Sequence, residues 1–264
     1  MILVADNLRI TNPVIERAIM EMNPKPVIEM VIKCTKAGAK AIDLNCGPLT
    51  RQTESRISFL VKTVQKISDL PILLDTANPV AIEAGLKASQ KKTIINGFSL
   101  EPAKLAKILP LAKKYQVDII GYLLHPNGQV PQNTSERLDI ALNLFLEFQK
   151  TGLDVSNLII DPIIAPLSWQ NGKTQNREIL KVIQTLPELL GFPVRIIAGL
   201  SNLTAGGQNA AKNRCLEKAY LSMLAAAGLD IILLNILHPK IVQHALVCDL
   251  LLNESIFTWE EIPS

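Results

Sequence analysis

The chain has 264 residues, of which 48% are hydrophobic and 19% are charged, enough apolar sequence to bury the core of a large globular domain. Its 27 Lys and Arg residues against 24 Asp and Glu residues give a net charge of +3, too small an excess to predict a nucleic-acid or membrane surface. The first residues show no basic leader, and Asp230 and Asn235 interrupt the longest apolar stretch. We therefore expect a soluble, cytoplasmic protein that neither spans a membrane nor binds nucleic acid.

The cysteines give no sign of a metal site. There are four of them: Cys34, Cys46, Cys215 and Cys248. They show no C-x-x-C spacing, and no cluster of histidines accompanies them. We therefore predict that the chain binds no metal ion itself and that its thiols stay reduced, as is usual in a cytosolic protein.

Short apolar runs alternate with amphipathic stretches along the chain in a regular series. The predicted strands are residues 1–5, 41–45, 71–75, 93–96, 118–124, 157–161, 194–199 and 230–235. The predicted helices are residues 13–38, 54–68, 79–89, 101–114, 134–150, 174–189, 209–227 and 239–252. Most of the strand runs are continuously apolar, which is typical of a parallel sheet covered on both faces. Asn78-Pro79 indicates a helix start, and Asn133 to Glu136 resembles a capping box.

Eight strand–helix units in a chain of this length are typical of an α/β fold, the (β/α)8 TIM barrel. A doubly wound open sheet has the same alternation and is the competing fold, although no G-x-G-x-x-G motif follows the first strand. No linker divides the chain. We predict one domain over residues 1–264, in which residues 253–264 form a C-terminal tail.

Two connections on the carboxyl-terminal side of the predicted strands are longer than usual. They cover residues 165–174 and 201–214, and both are polar and contain glycine. Long loops at this face of a barrel are usually lids or binding loops. Gly206-Gly207 is a candidate hinge in the second loop. The alternative is that this loop is simply irregular and contains no hinge.

Polar side chains follow most of the predicted strands at the point where each strand ends. They are Asp43, Asn45, Asp75, Asn96, Asp161, Ser201, Asn202 and Asn235. Each alone has a structural explanation, because Asp and Asn cap helices and form turns. Asp43 could bond a neighbouring strand end, and Asn235 fits a turn former best. In a barrel these strand ends meet at one mouth, so we favour a functional role for four that converge there: Asp75, Asn96, Asp161 and Asn202.

This set of residues is rich in carboxylates and amides and poor in nucleophiles. The sequence shows no Ser-His-Asp arrangement, no metal-ligand pattern and no P-loop. A carboxylate accepts two parallel hydrogen bonds from an amino group and an adjacent ring N–H, and an amide offers one donor and one acceptor. Each unmatched polar group would cost roughly 1–3 kcal/mol, so such a pocket selects one ring edge sharply. The amino-pyrimidine edge of a pterin has this pattern.

Several segments of the chain resemble the pterin-binding methyltransferase family, that is, the methyltetrahydrofolate:corrinoid/iron–sulfur protein methyltransferases and their relatives in the dihydropteroate synthase-like superfamily. The segments are AIDLNCGP (41–48), LLDTANPVAIEAGL (73–86), IIN (94–96), IIDPIIAPL (159–167) and GLSN (199–202). They occur in the family's order over nearly the whole chain. Together they are specific, whereas any one of them alone is a weak signal.

The resemblance implies a homodimeric TIM barrel that binds methyltetrahydrofolate at its mouth. Such an enzyme hands the N5 methyl group to the Co(I) of a corrinoid, and a partner protein is expected to carry it because this chain has no D-x-H-x-x-G corrinoid signature. By position, Asn202 is implied to be the catalytic residue, in contact with the N5 region. The residues implied to bind the pterin or line its pocket are Asp75, Asn96, Asp161, Asp43, Asn45, Gly199 and Ser201.

The chain departs from the family pattern mainly around the rim. The usual G-E-R-I-N block is replaced by ADNLRIT, with Asp6 and Arg9 at its Glu and Asn positions. Asn96 is followed by Gly97-Phe98 instead of Ser-Thr, and CLEKAY (215–220) and NILHP stand in place of two further family blocks. These changes leave two alternatives open: a pterin-binding protein without transfer activity, and a dihydropteroate synthase-like enzyme, whose usual N-x-T-x-D-S-F start is missing here.

Overall fold

The computed structural model describes residues 1–47, 49 and 52–262 of the chain. Pro48 of the AIDLNCGP segment and the last two residues of the predicted C-terminal tail lie outside these described residues. A helix that is both long enough and apolar enough to cross a bilayer is absent from the described residues.

The part of the chain that the structure describes contains eight strands: β1 (Ile2–Arg9), β2 (Ala41–Asn45), β3 (Ile72–Asp75), β4 (Thr93–Phe98), β5 (Asp118–Tyr122), β6 (Leu158–Asp161), β7 (Arg195–Gly199) and β8 (Ile231–Leu234). All of their pairings are parallel and follow the sequence order. Since β1 pairs with both β2 and β8, the sheet closes into a barrel. The predicted (β/α)8 barrel is confirmed, and the open sheet is excluded.

The helices of the described residues are α1 (Pro13–Met20), α2 (Pro24–Lys36), α3 (Thr53–Gln65), α4 (Pro79–Ala88), α5 (Pro102–Lys107), α6 (Leu109–Tyr115), α7 (Thr134–Gln149), α8 (Gly172–Leu190), α9 (Ala210–Ala227) and α10 (Pro239–Leu252). The predicted start of α4 is confirmed, because the Asn78 side chain accepts hydrogen bonds from the first turn. At α7 the Asn133 side chain accepts from the backbone N–H of Glu136 at 2.9 Å. Glu136 reaches back to the backbone N–H of Gln132, one residue before the cap, so the predicted capping box is shifted by one position.

Two predicted helices are each divided in two. The prediction over residues 13–38 covers α1 and α2, which Met22 separates with a φ of 50° before Asn23 caps the second helix. The prediction over residues 101–114 covers α5 and α6, and Pro110 lies in the first turn of α6. Proline cannot donate a hydrogen bond to a preceding turn, so it begins a helix more readily than it continues one.

Two strands are longer than predicted at the end that faces the mouth. β1 continues to Arg9, although the polar Asp6 and Asn7 break the apolar run at which the prediction stops; its register with β2 shifts in this region. β4 continues through Gly97, where a Cβ would lie only 2.3 Å from the carbonyl oxygen of Ile120 on β5. Glycine therefore permits the close approach of these two strands.

The barrel interior is filled by a layer of apolar side chains, one from each strand: Val4, Ala41, Leu73, Ile94, Ile120, Ile159, Ile197 and Ile231. A larger apolar cluster fills the space between the strands and the surrounding helices. Tyr122 and Leu233 pack against the interior layer. This layer supports the side chains at the strand exits and separates them from the amino-terminal end of the barrel.

Candidate functional site

The strand exits at the carboxyl-terminal end enclose a cavity of about 310 Å³, which we call the mouth cavity. Every site residue predicted from the sequence lies in its wall: Asp43, Asn45, Asp75, Asn96, Asp161, Gly199, Ser201 and Asn202. The wall also contains Asp6 and Arg9, which the sequence analysis noted as departures from the family pattern and not as site residues. Four further wall residues were not noted at all: Tyr122, Ile163, Ile197 and Leu233. Side chains that are far apart in the chain thus share one concave site at the end where barrel enzymes keep their chemistry.

A chain of hydrogen bonds orients the side chain of Asn96 in this wall. The Tyr122 hydroxyl donates to Asn96 Oδ1 at 2.6 Å, and Asn96 Nδ2 donates to Asp43 Oδ1 at 3.2 Å. Asn96 and Asp43 are only 6% and 3% exposed. Because both ends of the amide are engaged, the Asn96 side chain can offer a ligand one further donor and one further acceptor in a determined orientation.

Asp75 and Asp161 present carboxylates to the cavity from β3 and β6. Asn45 Nδ2 donates to Asp75 Oδ2 at 2.5 Å, and the backbone N–H of Ile163 donates to Asp161 Oδ1 at 2.8 Å. Ile163 has a φ of 62°, a left-handed conformation that is rare for a β-branched residue and turns the chain sharply after β6. Hydrogen bonds from the described residues occupy one oxygen of each carboxylate and leave the other for a ligand.

Burial raises the pKa of all three carboxyl groups in this part of the wall. The pKa of Asp75 rises to about 6 and that of Asp161 to about 7, chiefly because burial disfavours the charged form. The pKa of Asp43 is raised well above its ordinary value by burial and then by the charge of Asp75. A ligand that brings N–H donors would stabilise the ionised forms, so the wall is suited to a ring edge with several donors.

The wall at β7 and β1 has a different composition. Ser201 Oγ donates to Asp6 Oδ2 at 3.2 Å, and Arg9 Nη1 lies 3.5 Å from the same oxygen. A 3-10 turn at Leu200–Thr204 holds Ser201 and Asn202 directly after β7. A Cβ at Gly199 would lie 3.3 Å from Asn202 Nδ2, so glycine leaves the Asn202 amide the room it occupies.

Asn235, the one polar strand-exit residue from the sequence analysis that lies outside this wall, behaves as a turn residue. Asn235 Oδ1 accepts from the backbone N–H of Leu237 at 3.1 Å and from Asn7 Nδ2 at 2.6 Å, as expected of a turn former.

The predicted loop over residues 201–214 begins with the 3-10 turn, and Gly206 has a φ of 82°. The proposed hinge at Gly206-Gly207 stays a prediction.

Asp6 and Tyr122, which were not predicted as site residues, can be recognised from the alternation of inward-facing positions along their strands. Asp6 is two residues beyond Val4 on β1, and Tyr122 is two residues beyond Ile120 on β5, so each is the next inward-facing position of its strand. The predicted first strand stops before Asp6, and the fifth runs past Tyr122 without a polar exit. Counting every second residue outward from the apolar layer would have selected both.

Comparison with known proteins identifies the class of barrel. Residues 11–235 match the family model described as "Pterin binding enzyme". The chain therefore belongs to the pterin-binding enzyme family, and its resemblance to the pterin-binding methyltransferases is confirmed.

The relatives include two curated enzymes and a solved structure. Methylcorrinoid:tetrahydrofolate methyltransferase of Eubacterium limosum is 22% identical, over 87% of this chain and 83% of that protein. Methionine synthase of Mycobacterium tuberculosis (strain ATCC 25618 / H37Rv) is 24% identical over 74% of this chain, which corresponds to only 17% of that much longer protein. Dihydropteroate synthase of Xanthomonas albilineans, in complex with indole-2-carboxylic acid and 6-chloroguanine, has a TM-score of 0.67 at 16% identity, over 95% of this chain and 92% of that chain. This last similarity shows the common fold.

Proposed function

We propose that the protein is a methyltransferase that moves the N5 methyl group between methyltetrahydrofolate, or a related reduced pterin, and the cobalt of a corrinoid on a partner protein. The observation that carries this proposal is the meeting of Asp75, Asn96, Asp161 and Asn202 in one cavity wall. The similarity to methylcorrinoid:tetrahydrofolate methyltransferase over most of both chains supports both the pterin and the corrinoid.

In this proposal the amino-pyrimidine half of the pterin binds at β3 to β6. Asp75 and Asp161 accept hydrogen bonds from the exocyclic amino group and ring N–H groups, and Asn96 supplies one donor and one acceptor. Asn45 and Asp43 hold two of these side chains in place through the bonds described above. Hydrogen bonds to charged groups contribute roughly 1.5–3 kcal/mol each, so two carboxylates supply much of the affinity and of the ring selectivity.

The other half of the ring, which carries N5, extends toward β7 and β1. A tertiary amine is a poor leaving group, so transfer of the methyl group requires positive charge at N5. The Asn202 amide can stabilise that charge as it develops without bearing a charge of its own. Loss of such a preorganised group costs on the order of 10²–10³ in rate. The methyl acceptor has to approach along the C–N5 axis, and the cavity opens toward solvent at the barrel mouth.

That a partner protein carries the corrinoid is part of the same proposal, since no corrinoid signature occurs in the chain. The expectations of a homodimer, of a cytoplasmic location and of no nucleic-acid partner stay predictions. A pterin-binding protein without transfer activity is the main alternative, and the altered rim residues favour it. A dihydropteroate synthase-like activity is supported by similarity of fold.

The substitution Asn202→Ala tests the transfer step. Stopped-flow spectroscopy would follow the loss of cob(I)alamin, used as a free methyl acceptor, after mixing with enzyme and methyltetrahydrofolate. We expect a rate lower by about 10²–10³, with a pterin Kd within about threefold of the wild type. Asn127→Ala, on an exposed loop after β5, is the matched control and should leave both values unchanged.

Two results would contradict this proposal. A wild-type protein that binds methyltetrahydrofolate but never methylates cob(I)alamin would support the alternative without transfer. Full activity of Asn202→Ala would remove Asn202 from the chemistry and leave the pterin-binding assignment in place.

A further inference from the structure

Asp6 is a buried carboxyl group in the mouth cavity that lies outside the set proposed to bind the pterin. It is 7% exposed and lies on β1. Its Oδ2 accepts from Ser201 and lies near Arg9, at the distances given above. Its Oδ1 is buried and has no hydrogen-bond partner among the described residues.

Burial makes Asp6 hold its proton more tightly than an exposed aspartate does. A carboxylate with one buried oxygen left unpaired loses hydration without compensation, which shifts the balance toward the neutral acid. Burial is accordingly the largest cause that raises the pKa of Asp6. Arg9, the hydrogen bond from Ser201 and His238 lower this pKa, and Glu217 on α9 raises it. Asp43 on β2 and Cys34 on α2 also lie close enough for the charge of Asp6 to raise their pKa values.

Asp6 also lies on the side of the cavity that suits a proton donor to N5. The carboxylates proposed to hold the pyrimidine ring come from β3 and β6, whereas Asp6 comes from β1 and its hydrogen-bond partner Ser201 follows β7. Ser201 directly precedes Asn202, the residue proposed to contact the N5 region. A bicyclic ring held at β3 to β6 therefore has its N5 side toward Ser201 and Asp6.

We propose that Asp6 stores the proton that N5 takes up when the methyl group leaves, and that the Ser201 hydroxyl passes it on. This inference rests on the proposed function. When Asp6 is protonated on Oδ2, its hydrogen bond with Ser201 is reversed: Asp6 Oδ2–H donates to Ser201 Oγ, and the Ser201 hydroxyl hydrogen is free to donate to N5. The hydroxyl proton passes to N5 as Oγ accepts the proton of Asp6, which is left as a carboxylate that lies beside the Arg9 guanidinium and again accepts from Ser201. Solvent returns a proton to Asp6 after the products leave.

The step balances. The electron pair of Co(I) forms the Co–C bond, and the pair of the broken C–N5 bond returns to N5. The methyl group is transferred as a cation equivalent, so the cobalt becomes methyl-Co(III), and the proton supplied through Ser201 remains on N5 of tetrahydrofolate. The corrinoid of the proposed function is the sole redox-active participant.

The test compares Asp6→Asn and Ser201→Ala with the wild type. Methylation of cob(I)alamin would be followed by stopped flow from about pH 5.5 to about pH 8.5, and the Kd of methyltetrahydrofolate by isothermal titration. We expect both variants to transfer about 10²-fold more slowly near neutral pH, with Kd within about threefold, because a positioned proton donor contributes 10²–10⁴ in rate. The Asp6→Asn rate should then fall about tenfold per pH unit, because its proton comes from solvent.

Asp139→Asn is the matched control, because it removes an exposed carboxylate on α7 that is not among the charged groups acting on Asp6. It should keep its rate and its pH profile. An Asp6→Asn or Ser201→Ala protein with the wild-type rate and pH profile would overturn the proton relay alone. A variant whose pterin affinity falls by the same factor as its rate would also overturn the relay alone. A wild-type protein that binds the pterin without transferring methyl would overturn the proposed function and the relay together.

Discussion

Ile159 and Asp161 both point into the barrel from β6, but they line opposite ends of it, one mostly aliphatic and the other polar. Asp161 lines the mouth cavity of about 310 Å³, whose wall is largely carboxylates and amides. Ile159 lines a cavity of about 430 Å³ at the amino-terminal end, whose wall is mostly aliphatic. Lys92 and Arg195 line this second cavity as well, and both pair with Asp118.

The difference between the ends arises within two residues on β1 to β6, whereas on β7 and β8 the next inward positions are Gly199 and Leu233. On β3 the inward position changes from Leu73 to Asp75, and on β4 from Ile94 to Asn96. Successive inward positions of a strand are two residues apart, so the apolar layer and the polar wall are consecutive rings of the same barrel. Stability and ligand binding therefore depend on neighbouring positions, and substitutions in the two rings should separate them.

The largest expected effect is on stability and comes from the apolar ring. Ile159 is fully buried, so Ile159→Ala should lower the free energy of unfolding by about 2–5 kcal/mol through lost burial and a residual cavity. Urea denaturation measures this loss, and Ile159→Val should cost about 0.5–1.5 kcal/mol. The Kd for methyltetrahydrofolate should stay within about twofold. A large loss of affinity in this folded variant would show that the rings do not act separately.

The next effect is on binding and comes from the polar ring. Asp161→Ala removes a carboxylate proposed to accept hydrogen bonds from the pterin, worth about 2–3 kcal/mol, so affinity should fall on the order of 100-fold. The stability of the variant should change little, because the same substitution also removes a buried carboxyl group. Isothermal titration measures the affinity, with Asp161→Asn as a control of the same shape. Equal affinity in the wild type and Asp161→Ala would reject the pocket assignment.

A smaller effect should appear in the pH dependence of binding. Because the raised pKa values are about 6 for Asp75 and about 7 for Asp161, both groups are largely protonated in the empty protein at pH 5. A carboxyl group must lose its proton to accept two N–H donors, so affinity should rise from pH 5 toward pH 8, by up to about tenfold per pH unit below each pKa. The slope should be shallower in Asp161→Asn. A pH-independent Kd in the wild type would contradict this role.

In the empty protein, the raised pKa of Asp161 should lower the stability as the pH rises, whereas ligand affinity should increase. Asp161 holds its proton more tightly when folded than when unfolded, since burial raises its pKa from the model-compound value of 3.8 to about 7. Its contribution to the free energy of unfolding is present below about pH 4 and is lost as the pH rises through about 7. Saturating methyltetrahydrofolate should offset this loss, because the ligand stabilises the ionised form.

The fold and most of the mouth cavity could be predicted from the sequence, because both depend on local patterns. Apolar strand runs alternate with helices, and Asp75, Asn96 and Asp161 each stand where a run ends. The division of the first predicted helix was missed because its apolar spacing continues across Asn23-Pro24, where the cap and the proline begin a new helix.

Asp6 and Tyr122 were missed for a different reason. Asp6 lies inside a strand that continues past its apolar run, and Tyr122 lies inside an apolar run that gave no polar exit. Their contribution depends on contacts between distant strands, Asp6 with Ser201 and Tyr122 with Asn96. The alternation of each strand indicates that these two side chains face inward, but the partner that each one meets is set by the closure of the barrel.

A crystal structure of the protein with methyltetrahydrofolate bound would examine the whole arrangement at once. We predict density for the pteridine in the mouth cavity, with its amino-pyrimidine edge on Asp75, Asn96 and Asp161 and its N5 methyl group toward Asn202 and the opening. Density at another surface, or a ring turned so that N5 faces β3, would contradict the account.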